Sequence, residues 1–372
     1  MMPFIDLATQ RARLQDKLDA TISKIIAEGR YVLGPEVAEL EERLASFGQA
    51  DHALTCANGT DALALPLMAW KLRRNDAVFV PSFTFASTAE VVPLHGGTPV
   101  FVDIDPDTYC MCPKSLAAAI DWVKSQSDLT PRVVIAVDLF GQPADYPAIS
   151  EICRAEGLKL IADSAQGFGC TLNGKHPAAW ADITTISFYP AKPLGCYGDG
   201  GAIVTRDAEL AALIRSLRNH GEGEARYAYE RIGLNSRLDT LQAGILLAKL
   251  DIFEDEIIGR NKAADAYAAG FGNVVKTPTV IDGGVSTWAQ YTIEVDDRDG
   301  FRAKLGEAGV PTAIYYPIPI HLQTPYADFP VAPGGLPVTE YAAGRVVSLP
   351  MDGYLGGERQ ETVIRAVRRA VA

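Results

Sequence analysis

Long apolar runs are missing from this 372-residue chain, and so is any excess of positive charge. No stretch approaches the ~20 consecutive apolar residues of a bilayer-spanning helix, so no membrane span is expected. Lys and Arg number 34 against 46 Asp and Glu, a formal charge of −12. A surface of that sign repels phosphates, so no nucleic-acid partner is expected. The 5 histidines and 6 cysteines are scattered, with no CxxC pair and no His at metal-ligand spacing. No metal site is therefore expected, and the cysteines read as reduced thiols. Internal repeats and low-complexity tracts are also lacking, which excludes solenoids and long tethers. The opening MMPFIDLATQRARLQDKLD carries charges where a secretion leader needs an apolar core. That pattern predicts a soluble cytoplasmic protein.

What the chain does contain is ordinary globular material, 48% apolar and 22% charged, in a length that suggests roughly two domains. After a short extended start, Glu36 to Gln49 has the spacing of an amphipathic helix, with Val37, Leu40, Leu44 and Phe47 on one face. Strand-like runs at Ala77–Pro81, Pro99–Asp103, Val133–Val137 and Lys159–Ala162 then alternate with helical stretches such as Thr60–Leu72 and Tyr146–Ala155. Alternation of this kind predicts an α/β fold on a mostly parallel sheet, with ligand sites at the carboxyl ends of its strands. Pro66 should kink or shorten its helix, because proline deletes a backbone donor. From Leu238 to about Ala269 one long helical pattern is expected. Beyond it come a strand at Tyr291, Ile293 and Val295, a capped helix from Asp299 to Ala308 stopped by Gly309, and a proline-rich turn at Tyr315–Pro319. The change of pattern places a boundary near residue 255, with a large α/β domain over 1–255 and a smaller α+β domain over 256–372.

Four short segments of the first domain carry chemistry. Gly59-Thr60, at a predicted helix start, offers free N–H groups and a hydroxyl to a phosphate, or else forms a plain N-cap. Phe83 and Phe85 follow a strand end, where an aromatic ring can lie on a planar ligand or pack in the core. Asp163 closes a buried strand, where its charge needs a cation opposite: a metal ion, the protonated nitrogen of a pyridine, or the donors of a turn. Lys192 sits in an apolar, glycine-rich turn, Ser187-Phe188-Tyr189-Pro190-Ala191-Lys192-Pro193-Leu194-Gly195. Desolvation there lowers an amine's pKa and frees it to attack an aldehyde. The glycines after it follow the lysine instead of opening a βαβ unit, so they do not make a dinucleotide loop.

The ordered set Gly59-Thr60, Phe85, Asp163-x-Ala165-Gln166 and Ser187-x-x-x-x-Lys192 resembles the DegT-type nucleotide-sugar aminotransferases, which are fold-type I enzymes dependent on pyridoxal 5'-phosphate (PLP). Similarity extends to Gly29–Glu36, Asn219–Gly221, Gly233–Arg237 and Tyr315–His321, nearly the whole chain. The resemblance implies roles for particular residues. Lys192 would bond to the cofactor aldehyde, and Asp163 would pair with its ring nitrogen. Gln166 would bond the ring hydroxyl, Phe85 and Ala165 would cover the two ring faces, and Gly59, Thr60 and Ser187 would hold the phosphate. Asn235 matches a residue that reaches the neighbouring subunit's phosphate site, which implies a homodimer with shared active sites. L-glutamate would donate the amino group, leaving pyridoxamine 5'-phosphate to aminate a sugar ketone.

The string from Lys192 to Ala202, with Asn235–Asp239, is most similar to 3-aminotransferases acting on a UDP-linked 3-oxo-N-acetylglucosaminuronate, on a route to bacterial surface polysaccharide. Enzymes of dTDP- or GDP-linked 3-oxo or 4-oxo 6-deoxy sugars are the alternative, and a non-catalytic binder of the cofactor or of nucleotide sugars is a remote one. A uronate carboxylate calls for a cation, and Arg237 can supply a bidentate guanidinium or serve as a structural arginine. Tyr316 and His321 are candidates for sugar contacts, or belong to a turn that prolines simply stiffen.

Overall fold

The computed structural model describes residues 2–225 and 227–372. The chain opens on a helix, α1 (Leu7–Glu28), where the sequence pattern predicts an extended start. Asp6 caps it, accepting a hydrogen bond from the Thr9 N–H at 2.9 Å. Gly29 ends it at φ 70°, a left-handed conformation that costs glycine little. The buried stripe of α1 is only Gln10, Leu14, Leu18 and Ile25, too narrow to stand out among the charges around it. Helix α2 (Pro35–Phe47) buries Val37, Leu40 and Leu44 as its spacing predicts.

Strands and helices then alternate: β1 (His52–Cys56), α3 (Gly59–Ala69), β2 (Asp76–Pro81), α4 (Ala86–Leu94), β3 (Thr98–Val102), α5 (Pro113–Gln126), β4 (Thr130–Val137), α6 (Tyr146–Glu156) and β5 (Lys159–Asp163). The short β6 (Thr171–Leu172) precedes β7 (Ile183–Ser187), β8 (Gly201–Thr205) and α7 (Ala208–Leu217). A 7-stranded sheet forms in the order β1-β8-β7-β5-β4-β2-β3. From β7 to β3 the pairings are parallel, while β8 runs antiparallel between β7 and β1. Strands such as β2 are buried at every position, as helices on both faces require. Pro66 stays inside α3, which ends at Ala69 and not at Leu72. Proline there removes the donor that would meet the Ala62 carbonyl, and the helix ends within a turn of it.

The long helical pattern resolves into two helices, α8 (Thr240–Leu250) and α9 (Phe253–Phe271). At the break, Asp251 pairs with Lys17 and Arg43. Leu14 and Leu18 of α1 pack on Ile245, Ala248 and Ile252 of this region, so α1 is stabilised by tertiary burial more than by its own period. Helix α9 serves two cores. Phe253 and Ile257 join the cluster of α2 and β8, whereas Ala263, Ala264, Tyr267 and Phe271 join a second one. The strand β9 (Gly284–Val285) pairs with β6. The second core gathers β10 (Tyr291–Glu294), α10 (Arg298–Glu307), β11 (Val346–Leu349) and α12 (Gly357–Ala370), with α11 (Pro337–Ala343) leading into β11. β10 and β11 pair antiparallel. The cap of α10 is Asp297, whose Oδ1 accepts from the Gly300 N–H at 3.1 Å, so the helix begins one residue before the expected Asp299.

Candidate active site

Asp163 is the last residue of β5, near the middle of the sheet, and is 4% exposed. Its Oδ2 accepts from the Thr88 hydroxyl at 2.9 Å and its Oδ1 from the Ala165 N–H at 3.2 Å. Burial pushes the carboxyl up, and those two donors together with the charge of Lys192 pull it back. Lys192 stands on the turn joining β7 to β8, its N–H bonded to Tyr189 O at 2.8 Å. Burial pulls its amine down from the ordinary lysine value, and the negative charge of Asp163 opposes that shift. Among the described residues, neither charge has an ion-pair partner within 4.0 Å. An acid and an amine are thus both desolvated, and the space between them is open.

That space is a cavity of about 530 Å³. Parallel strand ends bring Gly59, Thr60, Phe85 and Ser187 to its wall beside Asp163 and Lys192. Asn58 caps α3, its Oδ1 accepting from the Asp61 N–H at 2.8 Å, which aims the start of the helix at the cavity. A Cβ on Gly59 would stand 2.7 Å from the Ser187 Cβ, so only glycine lets α3 begin against the end of β7. Thr60 Oγ1 and Ser87 Oγ are 2.7 Å apart. Phe85, 55% exposed, turns its ring to the cavity mouth 6.2 Å from that of Tyr316.

Ala165 and Gln166 complete the wall near Asp163. Gln166 Oε1 accepts from the Phe140 N–H at 2.8 Å, and its Nε2 donates to the Tyr316 hydroxyl at 3.1 Å. Burial raises the Tyr316 hydroxyl, helped by the charge of Asp163, so it stays protonated at neutral pH. Behind the site, Asp138 accepts from Tyr146 Oη at 2.7 Å and from Ala144 N at 3.1 Å, and Ser164 Oγ bonds to it closely. These bonds hold the turn that presents Ala165 and Gln166.

Three residues singled out by sequence lie outside the cavity lining. Asn235 is exposed and bridges Asn219. Arg237 donates from Nη1 to Asn219 Oδ1 at 2.7 Å. Between them, Ser236 is buried and tied to Asp61 Oδ2 at 2.6 Å and to the Ala57 N–H at 3.1 Å. His321 packs behind the wall, with Nδ1 2.6 Å from Ser82 Oγ and Nε2 3.3 Å from Glu340 Oε1. Sequence reasoning passed over Thr88 and Ser87, although they follow Phe85 within the first turn of α4. It also passed over Gln290, brought to the wall from the C-terminal part of the chain with no local signal.

Residues 13–368 match the model of the DegT/DnrJ/EryC1/StrS aminotransferase family. The chain belongs to this family. Among aminotransferases of known sequence, it is 48% identical over 358 residues to the UDP-2-acetamido-2-deoxy-3-oxo-D-glucuronate aminotransferase of Pseudomonas aeruginosa, covering 95% of this chain and 96% of that one. It is 39% identical over 373 residues to a UDP-N-acetyl-3-dehydro-alpha-D-glucosamine 3-aminotransferase of Acidithiobacillus ferrooxidans, covering 100% of this chain and 98% of that one. The crystal structure of a DegT DnrJ EryC1 StrS aminotransferase from Brucella abortus superposes with a TM-score of 0.98 at 51% identity, over 99% of each chain. The fold is accordingly that of a fold-type I aminotransferase. No helix among the described residues is long and apolar enough to cross a membrane.

Proposed function

We propose that this aminotransferase moves an amino group from L-glutamate to the 3-keto carbon of a UDP-linked 3-oxo-N-acetylglucosaminuronate, with PLP as the carrier. The observation that carries the proposal is the desolvated pair, Asp163 and Lys192, facing one ring-sized cavity without bonding each other. The similarity to the Pseudomonas aeruginosa enzyme supports the choice of sugar.

The cavity fits the cofactor on its own terms. A buried carboxylate lacking a cation is costly, and a protonated ring nitrogen would supply that cation. The cradle of Gly59, Thr60 and Ser187, closed to any side chain at position 59, would hold a phosphate at the start of α3. When bound, PLP supplies an aldehyde that carries nitrogen and a heterocycle that takes up the electrons of a broken C–H bond.

The chain's own residues do the rest. Asp163, held by Thr88 and Ala165, would keep the ring nitrogen protonated. Phe85 and Ala165 would cover the two faces of the ring, and Gln166, oriented by the Phe140 N–H, would bond its hydroxyl. Lys192 would hold the aldehyde and, when free, its amine would carry a proton between neighbouring carbons, as base and afterwards as acid. Burial lowers its pKa, which favours the unprotonated amine that must accept a proton before returning it.

Lys192 is the one cation lining the cavity among the described residues, whereas phosphate, nucleotide and uronate are all anionic. Exposed Asn235 and the nearby Arg237 supply polar and cationic groups on a surface outside that cavity. In our reading they complete the site of a second copy, Asn235 at the phosphate and Arg237 at the uronate carboxylate, in a homodimer.

The test is to load the protein with pyridoxamine 5'-phosphate and offer a panel of 3-oxo and 4-oxo sugars on UDP, dTDP and GDP. The UDP-linked 3-oxo uronate is expected to discharge the cofactor fastest. Faster discharge by a 4-oxo or a neutral 6-deoxy sugar overturns the substrate.

A further inference from the structure

Helix α8 buries a lysine that the reaction above does not use. Lys249 is 2% exposed, and among the described residues it forms no ion pair. Burial pulls its amine down to about 8, and the charge of Glu256 offsets part of that pull. A desolvated ammonium without a bonded counter-ion weakens a fold unless it does something else. Its contacts show what it holds. Nζ donates to the Gly195 carbonyl at 2.6 Å and stands 4.3 Å from the centre of the Tyr197 ring, within range of a cation–π attraction.

Both contacts lie on the turn that carries Lys192. About two turns earlier on the same face of α8, Gln242 grips that turn again. Its Oε1 accepts from the Tyr197 N–H at 2.8 Å and its Nε2 donates to Tyr197 O at 3.3 Å. Motion at Gly195 reaches Lys192 directly. A Cβ on Gly195 would stand 2.6 Å from Pro190 O and 2.7 Å from Tyr189 O, so the two limbs of the turn are in contact. Tyr189 O also accepts the Lys192 N–H.

We propose that Lys249 is a positioning residue for Lys192: by holding Gly195 and Tyr197 from inside α8, it sets where the Lys192 amine stands in the cavity. The inference rests on the reading of Lys192 as the acting amine. Lys249→Met removes the donor and the charge at similar side-chain length; relief of a buried, unpaired charge offsets the cost of leaving the Gly195 carbonyl without its donor.

The expected result has two parts. In the holoenzyme kcat falls by about tenfold or more, with the KM for glutamate within about twofold, because small displacements of a catalytic group cost rate more than binding. In the cofactor-free protein, backbone amides of residues 194–197 exchange faster while the rest of the chain and the Tm are unchanged. A kcat within about twofold of the parent, or faster exchange spread over the whole chain, overturns the proposal. If Lys249→Met does not fold, Lys249→Ala with added propylamine decides: recovery of kcat by the amine and not by propanol supports it, and no recovery overturns it. Lys192→Ala run alongside separates this inference from the one beneath it, since turnover without Lys192 defeats that reading whatever Lys249 does.

Discussion

Replacing Asp163 with Asn preserves the shape of the strand end and the Ala165 N–H bond, turns the Thr88 hydroxyl round to accept from the amide, and deletes the charge. Asp163 is 4% exposed, and among the described residues its carboxylate is met by the Thr88 hydroxyl at 2.9 Å and the Ala165 N–H at 3.2 Å. Opposite unit charges about 4 Å apart at an effective dielectric of about 20 attract by about 4 kcal/mol. At about 1.4 kcal/mol per decade, losing that attraction slows the step by roughly a thousandfold. The assay is a single turnover of PLP-loaded enzyme with L-glutamate, followed by the loss of the cofactor's near-visible absorbance. Thr88→Val sets the scale, because it keeps the charge and removes one donor, worth about 1–2 kcal/mol. The expected order is parent, then Thr88→Val, then Asp163→Asn far below. A rate for Asp163→Asn within about tenfold of the parent refutes the electrostatic role. The cofactor-free protein gives an independent reading. Burial raises the folded-state pKa of Asp163, so its ionised form destabilises the fold above that pKa, and the penalty fades as pH falls through it. Asn carries no such penalty, so the Tm of the cofactor-free variant at pH 7 should equal or exceed the parent's. A clear fall in Tm means that the carboxylate serves the turn instead of a cation.

Four other outcomes are expected. Lys192→Ala should fold with an unchanged circular dichroism spectrum and lose the glutamate half-reaction; retained turnover removes its assignment. Lys192 in the cofactor-free protein should be acylated with a midpoint at lower pH than free lysine, since burial outweighs Asp163 in setting its pKa, and peptide mass spectrometry across a pH series reads this. In Asp163→Asn the midpoint should drop further, because the charge that raises it is gone. Arg237→Ala should raise KM for a uronate substrate more than for its neutral 6-deoxy counterpart, and equal increases dispose of the carboxylate contact.

Much of this protein is written locally. An acid closing an apolar strand, a lysine inside a glycine-rich turn and Gly-Thr at a helix start are each short segments whose neighbours in sequence remain neighbours in space. The strand–helix alternation from β1 to β5 is legible for the same reason, since each unit buries itself on the adjacent one. Other features needed the whole fold. Helix α1 takes its stability from Ile245 and Ala248 far along the chain, which its own residues cannot announce. The break between α8 and α9 depends on Lys17 and Arg43 reaching Asp251. Gln290 joins the cavity wall, and His321 is drawn behind it by Ser82 and Glu340. Nothing in the sequence singles out Lys249; packing of α8 places its ammonium under Gly195. Burial and long-range hydrogen bonds are properties of the packed chain, so the residue types of the candidate site could be read from sequence, while which side chains surround them was decided by tertiary contact.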